Sequence, residues 1–273
     1  MTNQAAEELP LHDFPTATTV SEFVQNIADV RSRIAAAAER VGRNPNDVRL
    51  LPVSKTVPED RIRLAVQAGC RTLGENKVQE ATRKSKNLAD LDVSWSVIGH
   101  LQTNKARDVA AFASEFQALD NLRAAAALDR RLQAAGRSLD VFVQVNTSAE
   151  PQKYGLPPEE TQAFLRELPQ FSSLRVRGLM TLAIFSSDIP KVRECFVRLR
   201  TLRDQLRETD PDLIGDAGLS MGMSGDYEVA IEEGATCVRV GQAIFGKRQT
   251  PDSYYWPDQA TEPATEPATA PAA

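Results

Sequence analysis

Lys55 closes an apolar run, LLPVS, at residues 50–54. If that run is a strand, the lysine stem starts among buried side chains and its amine emerges at the strand end. Partial desolvation there disfavours the ammonium form, and a neutral amine attacks carbonyl groups. Two stretches late in the chain, MGMSGD (221–226) and RVGQAIFG (239–246), have the make-up of an anion cradle. Gly222 and Gly225 allow close backbone approach. Ser224 supplies a hydroxyl and is expected to cap a helix opening near Asp226, where backbone N–H groups attract anions. Arg239 lies within the second stretch. Buried, it needs a partner; turned inward, it can donate to a heterocyclic nitrogen and, as a fixed positive charge, keep that nitrogen unprotonated.

An amine beside a phosphate cradle points to a ligand with both a carbonyl and a phosphate. Pyridoxal 5′-phosphate (PLP) fits, and so does a sugar-phosphate substrate of an aldolase. Other chemistry is poorly supplied. His12 and His100 are the two histidines of the 273 residues, too few for a multi-histidine metal site, and a Ser-His-Asp triad is equally hard to build. Cys70, Cys195 and Cys237 are too far apart for a disulfide framework and read as small core residues of a cytoplasmic protein. The net charge of −5 gives no reason to expect a nucleic-acid partner, and no apolar stretch is long enough for a membrane span.

The elements that position these groups alternate. Helical spacing of Val20, Phe23, Ile27, Val30 and Ile34 predicts a helix over 19–42. Strands are then expected at 48–54, 71–75, 93–99, 115–120, 139–147, 174–183, 218–224 and 237–246, with helices between them. Eight such repeats at this length predict an α/β fold, a single (β/α)₈ barrel of TIM type with an extra N-terminal helix. Neither GxGxxG nor GxxxxGK[ST] is present to support an open nucleotide-binding sheet. In such a barrel the working residues lie where strands end. This adds Ser54, Glu75, Asn76, His100, Gln102, Asn104, Asp120, Asn121, Asn146, Thr147, Met180, Thr181, Ser220, Met223, Gly241 and Gln242 to the candidates. Glu75 reads as a cap of the following helix, and His100 as a hydrogen-bonded structural histidine. The barrel is expected over 19–250, after a flexible arm at 1–18 and before a disordered Pro/Ala/Thr-rich tail at 251–273.

The stretches LLPVSKTVPEDRI, LGENKVQEA, WSVIGHLQTNK, RGLMTLA, LSMGMSGDYEVAIEEGAT and VRVGQAIFG, in this order over about residues 20–248, resemble the pyridoxal phosphate homeostasis protein family. That family is itself similar to the barrel domain of alanine racemase. The resemblance implies PLP held as a Schiff base on Lys55. It places Asn76 near the cofactor, Met180 near its ring, and Met223, Ser224, Gly241 and Gln242 around its phosphate, with Arg239 facing the pyridine nitrogen. It further implies a monomeric PLP carrier without established turnover, with PLP-dependent apo-enzymes as partners. Three positions depart from the family's usual pattern. Gln242 stands where Thr or Ser is usual, Ser96 stands where His follows the strand-three Trp, and LAIF follows RGLM where a proline is usual.

Two other functions compete. A single-domain PLP-dependent amino-acid racemase shares the cofactor chemistry, but alanine racemase takes a catalytic tyrosine from a second domain. Tyr154 and Tyr227 read more simply as loop and helix residues. An interaction protein that has lost PLP is the other, motivated by Gln242.

Overall fold

A computed structural model describes residues 14–150 and 152–247. In chain order the regular elements are α1 (Val20–Arg40), β1 (Arg49–Pro52), α2 (Glu59–Gln67), β2 (Thr72–Glu75), α3 (Val78–Asn87), β3 (Ser94–Val97), α4 (Ala106–Phe112), β4 (Glu115–Leu119), α5 (Leu122–Ala134), β5 (Leu139–Gln144), α6 (Pro158–Glu167), β6 (Leu174–Met180), α7 (Ile189–Thr209), β7 (Gly218–Ser220), α8 (Tyr227–Glu232), β8 (Cys237–Val240) and α9 (Gln242–Phe245). The eight strands form one parallel sheet in the order β1-β8-β7-β6-β5-β4-β3-β2. A parallel bridge between Val53 and Gly74 joins its two edges, so the sheet closes as the expected barrel.

The closing seam is thin for a reason visible in the residues. Val53 N donates to Val240 O on the β8 side at 2.9 Å, and Ser54 N donates to Gly74 O on the β2 side at 3.0 Å. Alternate residues of a parallel strand serve opposite neighbours. The preceding donor on the β2 side belongs to residue 52, which is proline and has no N–H. β5 and β6, by contrast, pair over six positions.

Apolar helix faces cover the outside of the sheet. α1 opens with a capping box, Thr19 with Glu22, and buries Phe23, Val30, Ile34, Ala37 and Ala38. Phe23 packs edge-on to Phe245 at 5.6 Å, and Asn26 Nδ2 donates to Ile244 O at 3.0 Å. The extra helix therefore fastens the end of the barrel to its beginning. Cys70, Cys195 and Cys237 are buried free thiols, and burial pushes Cys70 up to about 11.

Several expectations need correction. The fifth and sixth strands end at Gln144 and Met180, short of 147 and 183. The eighth strand stops at Val240 rather than 246, and Gln242 begins a short helix, because the strand ends where Gly241 turns toward the β7 loop. The flexible arm expected at 1–18 does not extend to residues 14–17. Lys247 N donates to Phe14 O at 2.9 Å, Arg61 Nε donates to Ala17 O at 2.8 Å, and Ala17 is buried. Residues 1–13 and the tail expected at 251–273 lie outside the described residues. Among the described residues no helix is long and apolar enough to cross a membrane.

Candidate functional site

Lys55 is half-buried in the turn that follows β1, between buried Ser54 and exposed Thr56. Thr56 has φ 65°, a left-handed conformation that β-branched residues avoid. The turn rests on a buried ionic cluster. Glu75 Oε1 accepts from Ser54 Oγ at 2.6 Å and from Lys84 Nζ at 2.8 Å. Lys84, on α3, also donates to Ser54 O at 2.8 Å and pairs with Glu80 at 2.7 Å. Glu80 Oε1 in turn accepts from Thr56 N at 2.9 Å. Glu75 therefore does not cap the next helix, as its place in GEN suggested. α3 opens after Lys77 without a side-chain cap, and burial pushes the Glu75 carboxyl up against the pull of Lys84.

The loop after β7 and the end of β8 lie next to this turn. Gly241 N donates to Ser224 Oγ at 3.2 Å, which joins the β7 loop to the end of β8. A Cβ on Gly241 would stand 3.2 Å from Val53 O, two residues before Lys55. Glycine thus lets the end of β8 approach the strand that runs into Lys55. Ser224 does not cap α8. Asp226 stands at the N-cap position, but its side chain makes no capping bond: Oδ1 turns back to accept from Met223 N at 2.5 Å, while Tyr227 N donates to Met223 O at 2.9 Å. Burial pushes Asp226 up to about 6, against the pull of the Met223 N–H and the charge of Arg239. Gly222 has φ 95°, and a Cβ there would fall 2.7 Å from Ala230 Cβ. Met223, Gly241 and Gln242 are half-buried around this junction.

Arg239 points into the barrel, 3% exposed, and burial pushes its pKa down. It donates to Ser220 Oγ and to Thr181 O, each at 2.7 Å. Ser220 Oγ donates onward to Gln117 Oε1 at 2.7 Å, and Gln117 Nε2 donates to Glu115 Oε1 at 2.6 Å. Ser96 Oγ donates to the same Glu115 oxygen at 2.7 Å, and Arg49 to the other at 2.7 Å. A chain of polar groups thus runs through the barrel interior below the mouth.

Asn76 follows β2 and is half-buried. Its carbonyl and amide oxygens would lie 2.1 and 2.4 Å from a Cβ on Gly99, so the end of β3 makes room for it. Met180 is fully buried at the end of β6. Lys55, Asn76, Met180, Met223, Ser224, Arg239, Gly241 and Gln242 come from β1, β2, β6, β7 and β8 and the loops after them. These strands are consecutive in the ring, so the candidates form a crescent on one side of the mouth. His100, Asp120, Asn121 and Asn146 follow β3, β4 and β5 across from it. His100 stacks on Tyr154, with ring centroids 3.9 Å apart, and its Nδ1 is buried without a hydrogen bond, 3.7 Å from Asp120. The expectation of a hydrogen-bonded His100 therefore fails at that nitrogen.

Sequence reasoning missed Lys84, Glu80, Gln117, Asp226 and Gly99. A signal existed for three of them. Glu80 and Lys84 stand at i,i+4 on a helix, and Gln117 alternates with Glu115 within a strand.

The chain matches the family model described as alanine racemase, N-terminal domain, over residues 25–249. It is 42% identical over 229 residues to the pyridoxal phosphate homeostasis protein of Pseudomonas aeruginosa, covering 84% of this chain and 97% of that one. To the protein of that name from Escherichia coli K12 it is 38% identical over 232 residues, covering 84% and 98%. The structure of PipY from Synechococcus elongatus PCC7942 with PLP bound superposes with a TM-score of 0.73 at 36% identity, covering 82% of this chain and 100% of that one. Alanine racemase of Clostridium difficile 630 shares the fold, at TM-score 0.62 and 15% identity, and 58% of its length is covered. Fold and family model together define a barrel of the alanine racemase N-terminal type. Within that class, the chain belongs to the pyridoxal phosphate homeostasis protein family.

Proposed function

We propose that this chain binds PLP, holds it as a Schiff base on Lys55, and serves intracellular PLP homeostasis as a carrier without turnover of its own. One observation carries the reading. The strand that runs into Lys55 passes close to Gly241, where a Cβ would stand 3.2 Å from Val53 O, and Gly241 is bonded to Ser224, which supports an amine and an anion cradle on one edge of the mouth. The donor set suits the ligand: a primary amine for the aldehyde, a hydroxyl whose proton remains to donate, glycine-bounded backbone for the phosphate, and a guanidinium for the ring nitrogen. The PLP-bound PipY structure supports it.

In this reading Met223, Ser224, Gly241 and Gln242 surround the phosphate, and the Gln242 amide takes the place of a hydroxyl. Asn76 and Met180 border the ring. PLP, when bound, supplies an electrophilic aldehyde and an electron-accepting ring. Arg239 can only donate hydrogen bonds, so it disfavours protonation of the ring nitrogen and weakens the ring as an electron sink. That favours storage over racemisation; delivery to PLP-dependent apo-enzymes by a monomer completes this reading. The free buried cysteines suit a cytoplasmic setting.

Borohydride reduction of PLP-loaded protein followed by peptide mapping tests the assignment. A pyridoxyl group is expected on Lys55. A label on another lysine, or none, sinks the assignment, and robust racemisation of alanine, serine or lysine by purified protein sinks the carrier reading.

A further inference from the structure

The assignment of Lys55 leaves a buried charge beside its turn, Lys84, without a role. Lys84 has no exposed side-chain surface. Its ammonium meets three acceptors, Ser54 O, Glu75 Oε1 and Glu80 Oε1, at 2.8, 2.8 and 2.7 Å, one for each of its protons. Burying such a charge is costly, and a well-packed apolar side chain of similar volume often serves stability as well. The geometry shows what the charge accomplishes instead. Ser54 O belongs to the peptide group before Lys55, and Lys84 holds it. Thr56 N belongs to the peptide group after Lys55, and Glu80, paired to Lys84, holds that one. Lys55 lies between the two, and Thr56, directly after the second, stands at φ 65°.

We propose that Lys84 is a positioning residue for Lys55. Together with Glu75 and Glu80 it fixes the peptide groups on both sides of Lys55, and so fixes the direction in which the amine leaves β1. It neither touches the cofactor nor reacts with it. The inference rests on the reading of Lys55 as the PLP lysine.

The test compares Lys84→Met, Glu80→Gln and, as a stability control, Leu132→Ala, which removes buried volume from α5 away from the crescent. Three quantities are measured: PLP affinity and absorption maximum by spectroscopic titration, the rate of borohydride-trapped labelling at Lys55, and amide exchange of the apo peptide covering residues 52–58. Lys84→Met is expected to bind PLP at least ~10-fold more weakly, to label Lys55 more slowly and to exchange the 52–58 amides ~10-fold faster. Leu132→Ala is expected to lower the melting temperature while leaving all three unchanged. Glu80→Gln, which keeps an acceptor for Thr56 N but loses the charge, is expected to lie between, with a melting temperature within a few degrees of the wild type. Should Lys84→Met fail to fold, Glu80→Gln decides alone. Wild-type affinity, labelling and exchange in the folded variant overturn the proposal, as do changes no larger than those of Leu132→Ala. Wild-type protein that takes no label on Lys55 overturns the PLP reading itself, and the clamp loses its purpose with it.

Discussion

Arg239 and Ser220 form a buried donor–acceptor pair at 2.7 Å whose direction is fixed at both ends. Arg239 can only donate, and Glu115 at the far end of the chain can only accept when ionised. Between them the Ser220 hydroxyl must accept from Arg239 and donate to Gln117. Ser220→Ala breaks this order and leaves buried partners unpaired, at a cost of about 1–3 kcal/mol. The variant is expected to melt several degrees lower and to shift the absorption maximum of bound PLP, since the Arg239 guanidinium loses one of its two anchors. An unchanged spectrum in a destabilised variant would separate Arg239 from the ring.

Ser224 links two elements through one hydroxyl. Ser224→Ala removes the acceptor of Gly241 N and a donor toward the cradle, so the expected stability loss is about 1 kcal/mol. PLP binding is expected to weaken ~10-fold, and pyridoxal without its phosphate to bind the variant and the wild type alike. Equal PLP affinity in titrations of both proteins would remove Ser224 from the phosphate site.

Asp226 gives a pH dependence with a definite sign. Its carboxyl has an ordinary value of 3.8 and is pushed up to about 6 in the folded protein. Between those values the folded state holds a proton that the unfolded chain has released. The contribution of this group to stability therefore falls as pH rises through that window and is constant above it. Asp226→Asn keeps an oxygen for Met223 N and removes the titration. From pH 7 to pH 5, the melting temperature of the wild type is expected to rise relative to that of the variant. Parallel curves across that range would show that Asp226 does not titrate there.

Gly99 is required by close approach rather than by its own φ. A Cβ would lie 2.1 Å from Asn76 O, a backbone atom that cannot swing away. Gly99→Ala is expected to cost about 1–3 kcal/mol and to displace Asn76, which calorimetry and PLP titration together would register. A fully stable variant with native affinity would show that the β2 loop is free to move.

Much of this was readable in the residues, and the unreadable part has a common cause. Alternating periodicity locates all eight strands because each packs one helix against the sheet, a local pattern with a local signal. Lys55, Ser224 and Gly241 stand out in the sequence because a lysine at a strand end and glycines beside a serine carry chemistry in their types, and the structure joins Ser224 to Gly241. Lys84 was not. An i,i+4 Glu–Lys pair on a helix usually marks a solvated face, and only the closure of β1 against β2 buries this one. Serine is a good capping residue, but Ser224 is taken up by Gly241 N, a contact 17 residues away in sequence that no local pattern announces. The end of the eighth strand is not readable locally because AIF is apolar in a helix and a strand alike.

Pro52 has a consequence beyond its own strand. By withholding one backbone donor, it leaves the join between the first and second staves of the barrel to a single bridge and to the side chains beside it: Ser54, Glu75 and Lys84. The cylinder is therefore fastened by a clasp of side chains where its neighbours are sewn by backbone, and that clasp also holds the peptide groups on either side of Lys55. Whatever loosens the clasp unlatches the ring and the lysine together.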